Sequence, residues 1–151
     1  MFNIDIDYPP FDQEMEIVAT TTSSYRPVLD KVINAEKILE MQELVRRVPA
    51  SSHVIGYAVK LVRSSRPKGP EVLPFMQEWV EWGAGPRASQ YLILGAKARA
   101  VLHGRYVASV EDVKAVVPSI LRHRIITNFK AQAEGITSLA LIERLLEEVK
   151  P

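Results

Sequence analysis

Read along its apolar positions, the chain divides into short helical stretches separated by proline and glycine. One stretch stands apart. From Pro86 to about His103, apolar residues (Ala88, Tyr91, Leu92, Leu94, Ala98, Val101, Leu102) fall on almost every side of a helix, which predicts a helix at the centre of a bundle. Its polar stripe is Arg87, Gln90 and Lys97, and Gly104 supplies a C-terminal stop. Gly85 suits the N-cap, and Pro86 suits the first helical position, where its missing N–H costs nothing.

The remaining elements follow from the same patterns. Phe2 to Tyr8 alternates apolar and polar residues, a strand signal that Pro9-Pro10 ends. Asp12 is placed to cap a short helix reaching about Thr22, and Pro27 keeps Tyr25 to Leu29 extended. Asn34 caps a helix over 35–48, with Ile38, Met41, Val45 and Val48 on one face and a Glu43–Arg47 pair on the other. Ser51 or Ser52 caps a helix to about Ser65, built on Val54, Ala58 and Leu61 with Ile55 and Val62. Gly56 inside that helix implies close backbone packing. Residues 66–70, with two prolines, read as a mobile loop. Phe75 to Trp82 reads as a short helix whose Trp79 and Trp82 form a packed aromatic hinge or, alternatively, an exposed docking patch.

Ser109-Val110-Glu111-Asp112 has the form of a capping box opening a helix with Val110, Val113, Val116 and Val117, and Pro118 ends that helix or begins the next turn. Residues 128–135 read as a connection with some strand character. Thr137 or Ser138 caps a final helix with Leu139, Ile142, Leu146 and Val149 as its buried stripe and Leu145 beside it. Several short helices around one central apolar helix predict an all-α bundle.

Composition narrows the class. A chain of 151 residues, 47% hydrophobic, is long enough for one domain with a modest core and too apolar to be disordered. It has no cysteine, which excludes disulfides, zinc–thiolate sites and cysteine nucleophiles, and fits a reducing cytoplasm. No apolar run approaches the roughly 18 residues of a membrane span, and the N-terminus lacks a signal-peptide pattern. The net charge of +1 hides an asymmetry: Met1 to Glu43 carries nine acids and three bases, Leu44 to Pro151 sixteen bases and nine acids. A basic half can mark nucleic-acid binding, but no aromatic residues interleave the basic positions, which argues against it.

The candidate chemistry lies at Arg87. In the first turn of a helix the free N–H groups and the macrodipole already make the site electropositive, so a cation there costs roughly 0.3–1 kcal/mol. An anion docked at the helix start removes that cost. The residues alone leave two readings: a Pro-Arg that merely opens a helix, with Arg87 in water, or an arginine that faces a phosphate.

Gly83-Ala84-Gly85-Pro86-Arg87-Ala88-Ser89 closely resembles the sensor 2 motif of the MoxR family of AAA+ ATPases. Val45-Arg46-Arg47-Val48-Pro49, the stretch from Tyr57 to Arg63, Leu121-Arg122-His123-Arg124-Ile125 and Ile4-Asp5-Ile6-Asp7-Tyr8-Pro9 are similar to the same family. The resemblance implies that residues 1–11 are the last strand of a nucleotide-binding domain, frayed or paired with another chain, and that 12–151 form a helical lid. It implies that Arg87 reaches the γ-phosphate of ATP, with Gly85, Pro86 and Gln90 beside it. It further implies ATP and magnesium in the parent protein, the AAA+ core of the same protein as partner, ring neighbours in a hexamer, von Willebrand factor A-domain partners, a cytoplasmic location and chaperone-like remodelling. Arg122, His123 and Arg124 are read as a helix end with a satisfied histidine rather than a second phosphate contact.

The chain has no phosphate-cradling loop, no strand ending in paired acids, and no metal-ligand spacing among His53, His103 and His123. By itself it is expected to bind neither nucleotide nor metal tightly and not to hydrolyse ATP. The rival reading is a free-standing helical module for protein or DNA, which accounts for the charge asymmetry without a missing domain.

Overall fold

The computed structural model describes all 151 residues, as eight helices and one small sheet. The helices are α1 (Phe11–Thr21), α2 (Ala35–Arg47), α3 (Ser52–Ser64), α4 (Pro74–Trp79), α5 (Pro86–Leu102), α6 (Val110–Leu121), α7 (Phe129–Ala133) and α8 (Ser138–Glu148). Strands β1 (Val80–Trp82) and β2 (Ile126–Thr127) pair antiparallel.

The expected bundle forms around α5. Its buried residues are Ala88, Leu92, Gly95, Ala96 and Ala100, mostly small, so α3 and α6 approach its backbone closely. They bring Tyr57, Leu61 and Val62 from α3 and Val113, Val117, Ile120 and Leu121 from α6, and α8 closes the core with Leu141, Ile142 and Leu145. Fully burying each large aliphatic side chain contributes about 1.5–3 kcal/mol. The Tyr57 hydroxyl is buried without a hydrogen-bond partner in the chain, and burial pushes its pKa up.

Local chemistry sets the helix ends. Asn34, Ser51, Asn128 and Thr137 each accept a backbone N–H at the start of α2, α3, α7 and α8. Ser109 and Asp112 make the reciprocal capping box of α6. Gly104, at φ +66, turns the chain after α5 while Arg105 N–H reaches back to the Ala100 carbonyl at 2.8 Å.

Several expectations are corrected. Phe2 to Tyr8, expected to be frayed or paired with another chain in the absence of its sheet, forms no strand within this chain and pairs with neither β1 nor β2. Instead Asn3 N–H donates to the Ser119 carbonyl at 2.7 Å, Asp5 pairs with Arg122 at 2.8 Å, and the Phe2 ring lies on Gly95. The first helix begins at Phe11 after Pro10, with Asp12 inside its first turn rather than capping it. On α2, Ile38 and Met41 are exposed, because only the C-terminal turn of that helix reaches the body, and Val48 just beyond it is buried. Lys37 pairs with Glu40, and Glu43 and Arg47 do not pair. Gly56 faces solvent with open space where a β-carbon would stand.

The Phe75–Trp82 helix stops at Trp79, and Val80 to Trp82 is strand. The two tryptophans form no packed hinge. Trp79 is half-buried under Lys130, whose Nζ lies 4.6 Å from the ring centroid, whereas a register shift in β1 leaves Trp82 66% exposed. Pro118 stays inside α6, where the buried Val117, Ile120 and Leu121 outweigh one lost backbone bond. Residues 129–133 are helical, and the strand lies earlier, at Ile126–Thr127. In α8 the buried stripe is Leu141, Ile142 and Leu145 followed by Val149, with Leu139 and Leu146 at its margin.

Candidate functional site

The start of α5 is where sequence and structure converge. Gly85 is extended (φ −82, ψ 172), gives α5 no side-chain cap, and accepts the Ala88 N–H at 2.9 Å. Pro86 occupies the first helical position. Arg87 follows it, exposed and in no ion pair. Gln90, one turn on, is also exposed. These four residues sit together at one helix end, so an unpaired cation shares the first turn with the positive end of the helix dipole.

Three contacts fix that end against α3, and the sequence did not reveal them. The Ser65 hydroxyl, fully buried, donates to the Val62 carbonyl at 2.7 Å and accepts the Ala84 N–H at 3.1 Å. Arg66 Nε donates to the Ala84 carbonyl at 3.1 Å. Gly83 lies so close that a β-carbon there would stand 2.4 Å from the Ser65 carbonyl oxygen and 2.5 Å from the Arg66 Cα. These partners lie 18 and 19 residues apart in sequence, beyond the reach of any periodic signal.

Beside the helix start is an open cleft of about 410 Å3, lined in part by Arg66, Lys68, Glu81, Trp82 and Gly85. It offers two cations and an exposed aromatic ring against one carboxylate. The cations and the neighbouring helix start suit an anionic ligand.

The other charged clusters are engaged in contacts within the chain. Asp112 is fully buried and receives Arg105 at 2.6 and 2.5 Å, Arg99 at 2.9 Å and the Ser109 hydroxyl at 2.8 Å. The Arg105 hydrogen bonds, helped by Ser109 and Arg99 and opposed by burial, hold its carboxyl well below the usual carboxylate range. Arg124 donates to the Ile120 carbonyl at 2.5 Å, contacts His123 and lies 5.4 Å from the Tyr91 ring centroid. Partial burial, then Arg124 and the N-terminal ammonium, push the His123 pKa down. No group of three or more His, Asp or Glu residues is placed to hold a metal ion, and no helix is long and apolar enough to cross a membrane.

Comparison with known proteins places the chain among similar helical lids. Residues 76–145 match the AAA lid domain family, a span that runs from α4 into α8 and includes Arg87. The chain is 29% identical over 154 residues to "Chaperone MoxR1" of Mycobacterium tuberculosis and 28% identical over 152 residues to "Uncharacterized protein YeaC" of Bacillus subtilis. Each alignment covers 99% of this chain, but the chain spans only 39% and 44% of those two relatives. "Protein MoxR" of Methylorubrum extorquens is 34% identical over 87 residues, covering 56% of this chain and 25% of that protein. A crystal structure from Cytophaga hutchinsonii, described as a candidate ATPase, superposes with a TM-score of 0.86 at 30% identity, covering 99% of this chain and 46% of that one. With its helical fold and a matched span that runs from α4 into α8, the chain is similar to the lid region of MoxR-family AAA+ ATPases.

Proposed function

We propose that the chain is the C-terminal lid of a MoxR-type ATPase and that Arg87 is its sensor 2 arginine. The observation that carries this is the exposed, unpaired guanidinium of Arg87 in the first turn of the central helix. In the intact protein the guanidinium meets the γ-phosphate of ATP across the cleft between lid and core. Gly85 and Pro86 shape the helix start, and Gln90 lines the same face. Phosphoryl transfer is catalysed mainly by positioning and charge stabilisation, which is what a rigidly mounted arginine supplies. Loss of the γ-phosphate removes Arg87's partner and frees the lid to rotate, so hydrolysis becomes movement of a bound client protein.

The residues present fit one wall of a nucleotide site. They do not fit magnesium, since no acidic cluster exists to hold it, and that ion belongs to residues of the core. The matched family favours this reading over a free-standing protein- or DNA-binding module. Ring assembly as a hexamer, von Willebrand factor A-domain partners, chaperone-like remodelling and a cytoplasmic location belong to the same proposal and rest on likeness to MoxR proteins.

The experiment is steady-state hydrolysis by the intact ATPase beside a melting curve of the lid. A charge-assisted contact is worth about 1.5–3 kcal/mol, so Arg87→Ala is expected to slow turnover roughly 10–150-fold. Arg87→Lys is impaired too, because lysine lacks the planar fork. The lid melts as before in both variants. Wild-type turnover in Arg87→Ala, or a collapse of lid melting, would sink the assignment.

A further inference from the structure

We propose that Ser65 and Arg66, at the C-terminal end of α3, are positioning residues that set the place of Arg87; the inference rests on the sensor reading of Arg87.

The start of α5 has no side chain of its own to cap it, since Gly85 holds the N-cap position. What holds it is borrowed from α3. Both backbone polar groups of Ala84 are taken, the N–H by the Ser65 hydroxyl and the carbonyl by Arg66 Nε, each at 3.1 Å. The Ser65 proton is committed to the Val62 carbonyl at 2.7 Å, which leaves an oxygen lone pair for Ala84 N–H. Ser65 and Ala84 are both buried, so water does not compete. Gly83 completes the clasp, because any side chain there would run into the backbone of Ser65 and Arg66, which cannot yield as a flexible side chain would.

From Ala84 to Arg87 is three residues, two of which are the N-cap glycine and the first-turn proline. The guanidinium is therefore mounted on α3 as much as on α5. Neither Ser65 nor Gly83 can touch the phosphate from within this packing, so their contribution to hydrolysis runs through Arg87. Reacting groups misplaced by about an ångström can cost ~100-fold in rate, and Ser65 and Arg66 supply the side-chain hydrogen bonds to this helix start.

The test is a double-mutant cycle in the intact ATPase. Ser65→Ala and Arg66→Ala are each measured for kcat and KM alone and combined with Arg87→Ala, with lid melting recorded throughout. Arg66→Ala removes a half-buried side chain and leaves no core cavity, so it remains measurable if Ser65→Ala melts early; because Arg66 also lines the cleft beside the helix start, its loss supports the positioning role only where it falls away in the Arg87→Ala background. The expected result is a loss of kcat of about tenfold in the single variants, part of what full misplacement costs. In the Arg87→Ala background the further loss is expected to fall to about twofold or less, because there is no longer a guanidinium to misplace. Full kcat in both single variants, with Arg87→Ala impaired, overturns the positioning role and leaves the sensor reading standing. An equal loss with and without Arg87 also overturns it, since the residues would then act on nucleotide or stability directly. Wild-type turnover in Arg87→Ala itself overturns the sensor reading, and the positioning role falls with it.

Discussion

Arg105 grips the buried carboxylate of Asp112 with two hydrogen bonds, 2.6 Å from Nη1 and 2.5 Å from Nη2, and so ties the turn after α5 to the first turn of α6. The same carboxylate closes the capping box with Ser109 and receives Arg99 from α5, so one side chain joins the two most closely packed helices. Removing one partner of a buried ion pair costs about 3–5 kcal/mol. The arginine side chains here are 36% and 39% exposed and regain water, which reduces that figure.

Asp112→Asn is therefore expected to destabilise the chain by about 2–4 kcal/mol, or roughly 5–15 °C in Tm. The pH dependence has a definite sign. The folded pKa lies below the ordinary value of 3.8, so the stabilisation is fully present above that value and is lost as pH falls below it toward the folded pKa. The stability gap between wild type and Asp112→Asn should narrow by about 1 kcal/mol between pH 5 and pH 3. Denaturant titrations at several pH values measure it, and a gap that stays constant or widens on acidification contradicts the assignment.

Gly56 gives an expectation of opposite sign. It lies inside α3 on the solvent face, with nothing within 4 Å of the place a β-carbon would occupy. Alanine there restricts the unfolded chain and gains helix propensity at no steric cost. Gly56→Ala should raise stability by about 0.5–1 kcal/mol, seen as a Tm higher by about 1–4 °C. A loss of stability would mean the helix has a close neighbour at that face.

The N-terminal segment should exchange its amide hydrogens unevenly. Asn3 N–H is bonded to the Ser119 carbonyl at 2.7 Å, whereas the amides of Ile4 and Ile6 have no such partner and their side chains are exposed. In a dilute solution of the chain, Asn3 is expected to exchange more slowly than Ile4 and Ile6. Strong, equal protection across Phe2 to Tyr8 would reveal a strand partner that the structure does not contain.

The elements legible in the sequence are those whose signals are local and long. The course of α5 could be read because Gly85-Pro86 opens it, Gly104 closes it and apolar residues fill the turns between. The capping box of α6 could be read because serine and aspartate stand three apart. The two strands span three and two residues, too short for alternation to register, and the shift between Val80 and Trp82 broke even that. Gly56 misled because a helical glycine looks the same in sequence whether its face is packed or wet. At the proposed site, the place of Arg87 in the first turn of α5 was legible from its own neighbours, while the contacts of Ser65 and Arg66 were not, since they reach Ala84 only after α3 and α5 have packed. The arginine donors to Asp112, Arg99 and Arg105, were hidden for the same reason.

The most direct test of the central proposal is the affinity of the intact ATPase for ATP and for ADP, measured with and without Arg87. An arginine that contacts the γ-phosphate has nothing equivalent to hold in ADP. Arg87→Ala is therefore expected to weaken ATP binding by about tenfold or more, in keeping with a contact of about 1.5–3 kcal/mol, while ADP affinity changes by about twofold or less. An equal change for both nucleotides, or no change for either, would contradict the assignment of Arg87 as the sensor of the γ-phosphate.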